Sequence, residues 1–345
     1  KRKTIKIRAN ADSPEDAKQS RILGAKGIGL CRTEHMFFEP NRIMAIREMI
    51  LAENLEERKK SIMKLLPFQQ KDFYKILKEM SPYPVTIRLL DPPLHEFLPN
   101  TKKQIHDLAK EMDVEPNEII SRVNLLHETN PMLGHRGCRL GITHPEITEM
   151  QTKAIFEATI ELIKEGFKPF PEIMIPLIGS ATELSNQRII IDRIAQEIIK
   201  NHQIDINYLV GTMIELPRAC ITADEIARYA QFFSFGTNDL TQTTYGFSRD
   251  DIGGFLENYI DKKIISNDPF QSIDKVGVGS LVKLGVKKGR SINPKLKIGV
   301  CGEHGGDPCS IDFFNQSQLD YVSCSPFRVP IAYLAAAHSA IKADL

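Results

Sequence analysis

The feature that most constrains this chain is an alternation of short apolar runs with stretches of helical periodicity. The apolar runs are rich in Ile, Val, Leu and Phe, which is typical of strands buried on both faces. About eight repeats of strand and helix predict an α/β protein, a (β/α)8 TIM barrel. The predicted strands are residues 4–8, 29–33, 85–90, 173–178, 210–216, 232–236, 297–301 and 321–324. The clearest helical patterns between them are residues 14–23, 150–165, 181–200, 223–229 and 279–288.

Two stretches are longer than a simple crossover between strands requires. Residues 40–80 and 92–145 have helical patterns and lack a linker composition, so we predict helical insertions after barrel strands. Insertions that directly follow a strand lie at the carboxyl end of the barrel, where the active sites of such barrels are found.

Composition and charge exclude several classes of protein. The 345 residues include 45 basic and 44 acidic side chains, a net charge of +1, so nucleic acid is not expected as a partner. No apolar run is long enough to cross a bilayer, so no membrane partner is expected either. The six cysteines show no CxxC pair or metal-finger spacing, which favours free thiols in a reducing cytoplasm. Because the chain begins abruptly at Lys1, we expect a missing N-terminal segment. The sequence leaves open whether that segment carries an organelle-targeting signal.

The predicted strands end in residues whose chemistry is compatible. Arginines lie at or beside the ends of the second and third strands, and a thiol ends the seventh. Carboxylates end the fifth and follow the sixth. Because strand ends converge on one mouth of a barrel, we expect these groups to surround one cavity. Two carboxylates suit Mg²⁺, and arginines suit phosphate or carboxylate oxygens. The turn at Gly236 and the glycine-rich residues 302–307 can present backbone N–H groups to an anion.

Each of these residues taken alone also has an ordinary structural interpretation. Glu215 is equally consistent with a salt bridge, and Asp239 with a helix N-cap. A single arginine is more often a surface residue, and Cys301 on an apolar strand is by default a buried, inert thiol. His304 is expected to shape its loop and not to bind metal. The coincidence of five strand ends favours a Mg²⁺-dependent site for an oxyanion.

Several motifs resemble those of a known family. Residues 27–34 (GIGLCRTE) and 233–242 (FSFGTNDLTQ) resemble motifs shared by the phosphoenolpyruvate (PEP)-utilising enzymes. These are pyruvate phosphate dikinase, PEP synthase and enzyme I of the sugar phosphotransferase system. The resemblance covers nearly the whole chain, and four further stretches resemble the dikinase in particular: residues 88–97, 134–140, 301–308 and 323–330.

The resemblance implies roles for nine residues. A pair of metal ligands for Mg²⁺ would also contact the substrate, three arginines would hold the phosphoryl group, one thiol would exchange a proton with the substrate carbon, and the remaining residues would contact pyruvate. The implied metal ligands are Glu215 and Asp239; the phosphoryl-binding residues are Arg32, Arg88 and Arg136; the other substrate contacts are Gly236, Thr237 and Asn238; the acid/base is Cys301.

The resemblance also implies a reaction and its partners. Residues 1–345 are interpreted as a PEP/pyruvate-binding barrel that transfers a phosphoryl group between a phosphohistidine and pyruvate. Family members carry that histidine on a separate domain after a Thr-Ser pair, and none of the nine histidines here follows such a pair. There is also no glycine-rich phosphate loop. We therefore expect a C-terminal fragment that depends on absent phosphohistidine and ATP-grasp domains, and the resemblance implies a homodimer.

Three alternatives stay open at this stage. The barrel could belong to a PEP synthase or an enzyme I, it could be a non-catalytic dimerisation module, or it could be an unrelated Mg²⁺-dependent enolate barrel. A module without catalysis would not need the arginines, carboxylates and thiol together. An unrelated enolate barrel would not need the arginine cluster.

Overall fold

Eight parallel strands close into a barrel, as the sequence predicts. The computed structural model describes residues 5–52, 54–99 and 101–342; residue 4, where the first strand was predicted to begin, lies outside this part. Each strand pairs with the next, and β1 pairs with β8 to complete the cylinder. The strands are β1 Lys6–Asn10, β2 Ile28–Arg32, β3 Pro84–Arg88, β4 Phe170–Ile175, β5 Leu209–Ile214, β6 Phe232–Phe235, β7 Lys297–Val300 and β8 Tyr321–Cys324.

Seven of the eight predicted strand ends differ from the observed ones, six of them by one or two residues, and proline explains the largest difference. Strand β4 ends at Ile175, three residues before the predicted end, because Pro176 has no N–H to donate to a neighbouring strand. Strand β5 ends at Ile214, so Glu215 already lies in the loop, two residues before Pro217 opens the next helix.

Helices surround the barrel and fill the two predicted insertions. One insertion follows β2 and contains α2 to α4, and the other follows β3 and contains α5 to α8. The helices are α1 Pro14–Ile22, α2 Pro40–Leu51, α3 Leu55–Met63, α4 Leu66–Met80, α5 Lys102–Met112, α6 Pro116–Leu126, α7 Cys138–Thr143, α8 Pro145–Lys164, α9 Ala181–His202, α10 Pro217–Ile221, α11 Ala223–Ile226, α12 Thr237–Tyr245, α13 Leu256–Asp261, α14 Val278–Ile292, α15 Pro308–Gln316 and α16 Val329–Lys342. In the described part of the chain, none of them has the length and apolarity of a membrane span.

Two apolar cores hold these layers together. The larger core lies between the strands and the outer helices, with Phe233 and Phe235 of β6 fully buried in it. The smaller core joins the two insertions, since Ile46 of α2, Phe97 and Met150 of α8 belong to one buried cluster. The insertions therefore form one helical layer beside the loops that follow β2 and β3.

The interior of the barrel contains a buried ion network. Glu172 of β4 is fully buried and accepts hydrogen bonds from Arg8 at 2.7 Å and from Thr86 at 2.8 Å. Lys297 of β7 pairs with its other oxygen, and the Arg8 guanidinium lies 4.0 Å from the ring centre of Tyr321. Burial alone would raise the pKa of Glu172, but the charges of Arg8 and Lys297 outweigh burial and hold the pKa at about 2. The network thus ties together strands from opposite sides of the barrel.

We expect Glu172→Gln to lower the free energy of unfolding by about 3–5 kcal/mol, because it leaves Arg8 and Lys297 buried without a counter-charge. Chemical denaturation measures this change. The matched control is Glu149→Gln, which breaks an exposed pair with Arg193 and should cost no more than about 1 kcal/mol.

The pH dependence of unfolding provides a second readout for the same pair of variants. Because the folded-state pKa of Glu172 lies below its ordinary value of 4.5, its contribution is complete above pH 4.5 and is lost as the pH falls toward 2. That part of the acid sensitivity should disappear in Glu172→Gln and persist in Glu149→Gln. Equal acid sensitivity in both variants would contradict the assigned role of the network.

Candidate active site

The loops at the carboxyl ends of the strands enclose a cleft of about 440 Å³. Eight of the nine residues singled out in the sequence line this cleft; the exception, Thr237, is fully buried behind its wall. The eight are Arg32, Arg88, Arg136, Glu215, Gly236, Asn238, Asp239 and Cys301. The structure therefore brings together residues from β2, β3, the loops after β5, β6 and β7 and the second insertion.

Two of the arginines share one buried carboxylate. Asp91 pairs with Arg88 at 2.8 Å and with Arg136 at 2.6 Å. Burial raises the pKa of Asp91, but the two guanidinium charges outweigh it and the net shift is downward. Glu34 pairs with the other side of Arg88. Both guanidinia are thus held in place before any ligand binds.

The third arginine lies nearer to solvent and has its own carboxylate. Arg32 donates to Asp12 from Nε at 2.9 Å and from Nη2 at 2.6 Å, and its backbone N–H also donates to Asp12. His35 lies 2.9 Å from the same carboxylate. Sequence reasoning assigned no role to Asp12, Glu34 or Asp91. The one signal for Asp91 was its position three residues after Arg88 at a strand end.

The two candidate metal ligands differ in environment. Glu215 is 1% exposed, and its Oε1 accepts a 2.6 Å hydrogen bond from the backbone N–H of Leu177. Asp239 lies in the first turn of α12, with its Oδ2 at 3.3 Å from Arg136. Burial raises the pKa of Glu215 well above its ordinary value, and the neighbouring charges of Asp239 and Asp91 raise it further. A cation between the carboxylates would remove that repulsion.

This donor set fits a hard divalent cation such as Mg²⁺. Mg²⁺ in proteins typically takes one or two carboxylates and fills its other positions with water and substrate oxygens. Over the described ranges, no group of three or more His, Cys, Asp and Glu side chains is arranged to hold a metal. An ion at Glu215 and Asp239 would have two carboxylate ligands, with other positions for water and substrate oxygens.

The loop after β7 lies directly against the start of α12. The backbone N–H of Glu303 donates to Asn238 Oδ1 at 3.2 Å, which leaves the Asn238 NH₂ group to donate toward the cleft. His304 lies 2.7 Å from the hydroxyl of Thr237. A Cβ on Gly302 would come within 2.1 Å of the same hydroxyl oxygen, so only glycine allows this approach.

Cys301 lies at the base of the cleft, where β7 ends. Its side chain is buried in an apolar cluster with Leu30 and Met213 and donates to the carbonyl of Phe235 at 3.7 Å. Burial raises the pKa of the Cys301 thiol to about 11, so the thiol is protonated at neutral pH in the protein alone.

Comparison with known proteins identifies the family of the chain. The model of the "PEP-utilising enzyme, PEP-binding domain" matches residues 1–341. The chain belongs to the PEP-utilising enzymes. The resemblance that the motifs predicted is thereby confirmed.

Individual PEP-utilising enzymes show where in the family the chain lies. It is 55% identical over 341 residues to "Pyruvate, phosphate dikinase" of Clostridium symbiosum, which is 99% of this chain and 39% of that protein. It is 56% identical over 337 residues to the protein of the same name from Rhizobium meliloti (strain 1021), covering 97% of this chain and 38% of the relative. It is 56% identical over 335 residues to "Pyruvate, phosphate dikinase 1, chloroplastic" of Arabidopsis thaliana, covering 96% and 35%. The chain thus spans a little more than a third of the length of these relatives.

The contact between Gly302 and Thr237 in this PEP-binding domain yields a prediction. Gly302→Ala should lower the free energy of unfolding by about 1–3 kcal/mol, because the new methyl group must displace the loop from Thr237. Gly253→Ala is the matched control: a Cβ there meets nothing within 4 Å, so the change should stay within about 0.5 kcal/mol. Chemical denaturation of both variants measures the difference, and equal effects would contradict the close packing.

Proposed function

We propose that this chain transfers a phosphoryl group between a phosphohistidine and pyruvate, forming or consuming PEP. In this proposal the chain performs the pyruvate half of the pyruvate phosphate dikinase reaction, in which ATP, phosphate and pyruvate give AMP, diphosphate and PEP. The observation that carries the proposal is the convergence of three guanidinia, two carboxylates and one thiol on a single cleft. The dikinase names of its relatives support this reaction over those of PEP synthase and enzyme I.

The arginines supply the binding site for the phosphoryl group. Arg136 is buried, Arg88 is largely buried with 11% of its side chain exposed, and Asp91 holds both, so they can stabilise charge on a transferring phosphoryl group with little reorganisation. Arg32 is 40% exposed at the mouth, where the phosphorylated side chain would enter.

Glu215 and Asp239 would hold Mg²⁺ in this proposal. The bound ion supplies Lewis-acid stabilisation of negative charge on the keto oxygen of the substrate. The side chain of Asn238 holds the pyruvate carboxylate, and the backbone of Gly236 and Thr237 lies beside it; the N–H of Gly236 itself donates to the carbonyl of Ile214. Asn238 suits this role because its NH₂ group is left free to donate.

Cys301 moves the proton between solvent and the substrate carbon. In the direction of pyruvate, the protonated thiol gives its proton to the methylene carbon of the enolate, and the C–H bond forms as the S–H bond breaks. In the direction of PEP, the thiolate takes a methyl proton, and the enolate oxygen then forms a bond to phosphorus as the phosphorus–nitrogen bond of the phosphohistidine breaks. Because the pKa of Cys301 is about 11, its thiol is protonated in the protein alone, which is the form that the formation of pyruvate requires.

The phosphohistidine would come from another domain. Among the described residues that line the cleft, His35 is the one histidine, and its Nδ1 lies 2.9 Å from Asp12. We propose that phosphohistidine and ATP-grasp domains supply the phosphoryl group, in keeping with the greater length of the relatives. We further propose the cytoplasm as the location, whereas the names of plant relatives such as that of Arabidopsis thaliana state a chloroplast.

Oxalate, a planar mimic of the pyruvate enolate, tests the metal site. We expect it to bind by calorimetry when Mg²⁺ is present and not when Mg²⁺ is absent, and we expect Glu215→Ala and Asp239→Ala each to abolish the binding because each removes a metal ligand. Glu225→Gln, at an exposed carboxylate of α11, is the control and should bind as the wild type does. Binding that ignores Mg²⁺, or survives both alanine substitutions, would overturn the metal assignment and favour a non-catalytic module.

The role of Cys301 yields a separate prediction. Cys301→Ser should reduce the exchange of pyruvate methyl protons with D₂O by about 100-fold or more, because the hydroxyl is a far weaker acid than the thiol. The binding of oxalate should persist, since oxalate has no proton to transfer. Nuclear magnetic resonance measures the exchange in the presence of Mg²⁺ and inorganic phosphate. Cys309→Ser, at an exposed cysteine, should exchange as the wild type does, and so would Cys301→Ser if the thiol is only structural.

We also propose that a second copy of the chain covers one face of α16. Apolar side chains of this helix and of the turn before it are about half exposed or more, which is unusual for a soluble surface. They are Phe327 at 78%, Ile331 at 51%, Leu334 at 59% and Ile341 at 54%. The stripe suits a self-complementary contact between two helices.

Leu334→Glu should convert the dimer into a monomer, because it places a charge in the centre of this apolar stripe. Sedimentation velocity measures the change in mass. Leu125→Glu is the control, since Leu125 is 78% exposed on α6, far along the chain from α16, and should leave the dimer intact. A wild-type monomer, or a dimer that survives Leu334→Glu, would refute this interface.

A further inference from the structure

His304 is fully buried and makes a hydrogen bond at each ring nitrogen. Its Nε2 lies 2.8 Å from the carbonyl oxygen of Pro269, and its Nδ1 lies 2.7 Å from Oγ1 of Thr237. The imidazole therefore bridges three segments: the loop after β7, the start of α12 and the segment that contains Pro269. The proposed reaction gives no role to His304.

The partners determine which nitrogen carries the proton. A carbonyl oxygen can only accept, so Nε2 must be the protonated nitrogen. In a neutral ring Nδ1 is then an acceptor, and the Thr237 hydroxyl must donate to it. The burial of His304 lowers its pKa and favours this neutral form. The hydrogen bonds thus run in one direction, from Thr237 through His304 to Pro269.

This bridge lies between the proton-transferring thiol, Cys301, and the proposed metal ligand Asp239. Cys301 is three residues before His304, and Asp239 is two residues after Thr237. Two further contacts act at the same junction: Glu303 N–H donates to Asn238, and the loop backbone at Gly302 lies against Thr237. The position of the thiol relative to the substrate-binding residues therefore depends on the junction that His304 holds.

We propose that His304 is a positioning residue that sets the location of Cys301 relative to the bound substrate by accepting the hydroxyl proton of Thr237. Because that proton is committed to His304, the Thr237 side chain does not donate to the substrate. The expected effect on proton exchange rests on the proposed function. The direction of the hydrogen bonds rests on the geometry alone.

Two substitutions separate the hydrogen bond from simple filling of space. His304→Asn places an acceptor oxygen near the position of Nδ1 and keeps the bond from Thr237, but it leaves more empty volume. His304→Gln fills the space better and can donate to Pro269, but it has no acceptor near Nδ1. If His304 only fills space, Gln is the better replacement; if it positions the loop through Thr237, Asn is.

The exchange of pyruvate methyl protons with D₂O, with Mg²⁺ and inorganic phosphate present, measures the difference. We expect His304→Gln and Thr237→Val to slow exchange by about 100-fold, as small displacements of catalytic groups typically do. Oxalate binding by His304→Gln should change little, since it does not involve the thiol. His304→Asn and Thr237→Ser should keep most of the rate, and the double variant His304→Gln, Thr237→Val should be no slower than the slower single variant. His106→Gln, at an exposed histidine of α5, is the control.

A long-range ¹H–¹⁵N spectrum of the imidazole tests the geometry without any substrate. We expect a neutral ring with its proton on Nε2, and a shift of the Nδ1 resonance in Thr237→Val. A proton on Nδ1, a charged ring, or faster exchange in His304→Gln than in His304→Asn would overturn the proposal.

If the wild type neither exchanges pyruvate protons nor binds oxalate, the proposed function fails. The tautomer and the protection of the Glu303 amide against hydrogen exchange then decide alone whether His304 holds the junction.

Discussion

Closure of the barrel is the constraint on which the rest of the structure depends. Pairing of β1 with β8 leaves no free edge, and because all eight strands are parallel, their carboxyl ends meet at one mouth. Residues as far apart in sequence as Arg32 and Cys301 thereby line one cleft. The buried network around Glu172 strengthens this closure from inside, since it links strands on opposite sides of the cylinder.

The arginines assigned to the phosphoryl group and the carboxylate of Glu215 lie in contrasting charge environments within the cleft. Arg32, Arg88 and Arg136 each pair with a carboxylate, so their positions are set before an anion arrives. Glu215 differs, because it accepts a hydrogen bond from the backbone N–H of Leu177, while burial and two neighbouring carboxylates, Asp239 and Asp91, raise its pKa. The charges of the arginines are therefore already balanced, whereas the charge of the buried Glu215 is not. Such a site is suited to take up a metal ion together with an anionic substrate.

Much of the fold and of the cleft could be predicted because the relevant signals are local. Apolar runs predicted the barrel, and residues at the ends of those runs, together with the family motifs, predicted nine site residues, eight of which line the cleft. Strand ends were less predictable: β4 stops at Pro176 because proline lacks a donor, although the apolar character of the chain continues past it. Asp12, Glu34 and Asp91 were not assigned roles, because a carboxylate that orients an arginine is recognisable only once the pair is close in space.

The sequence by itself determined the class of fold, the family and the set of reactive side chains. These depend on residue type and on spacing along the chain, which a sequence displays directly. The tertiary structure alone decided how those groups are arranged and tuned. Thr237 lies behind the wall of the cleft and not in it, Cys301 is buried deeply enough to keep its proton, and His304 joins segments that are 35 and 67 residues away in the chain. Burial and distance create these properties, and both arise only when remote segments pack together.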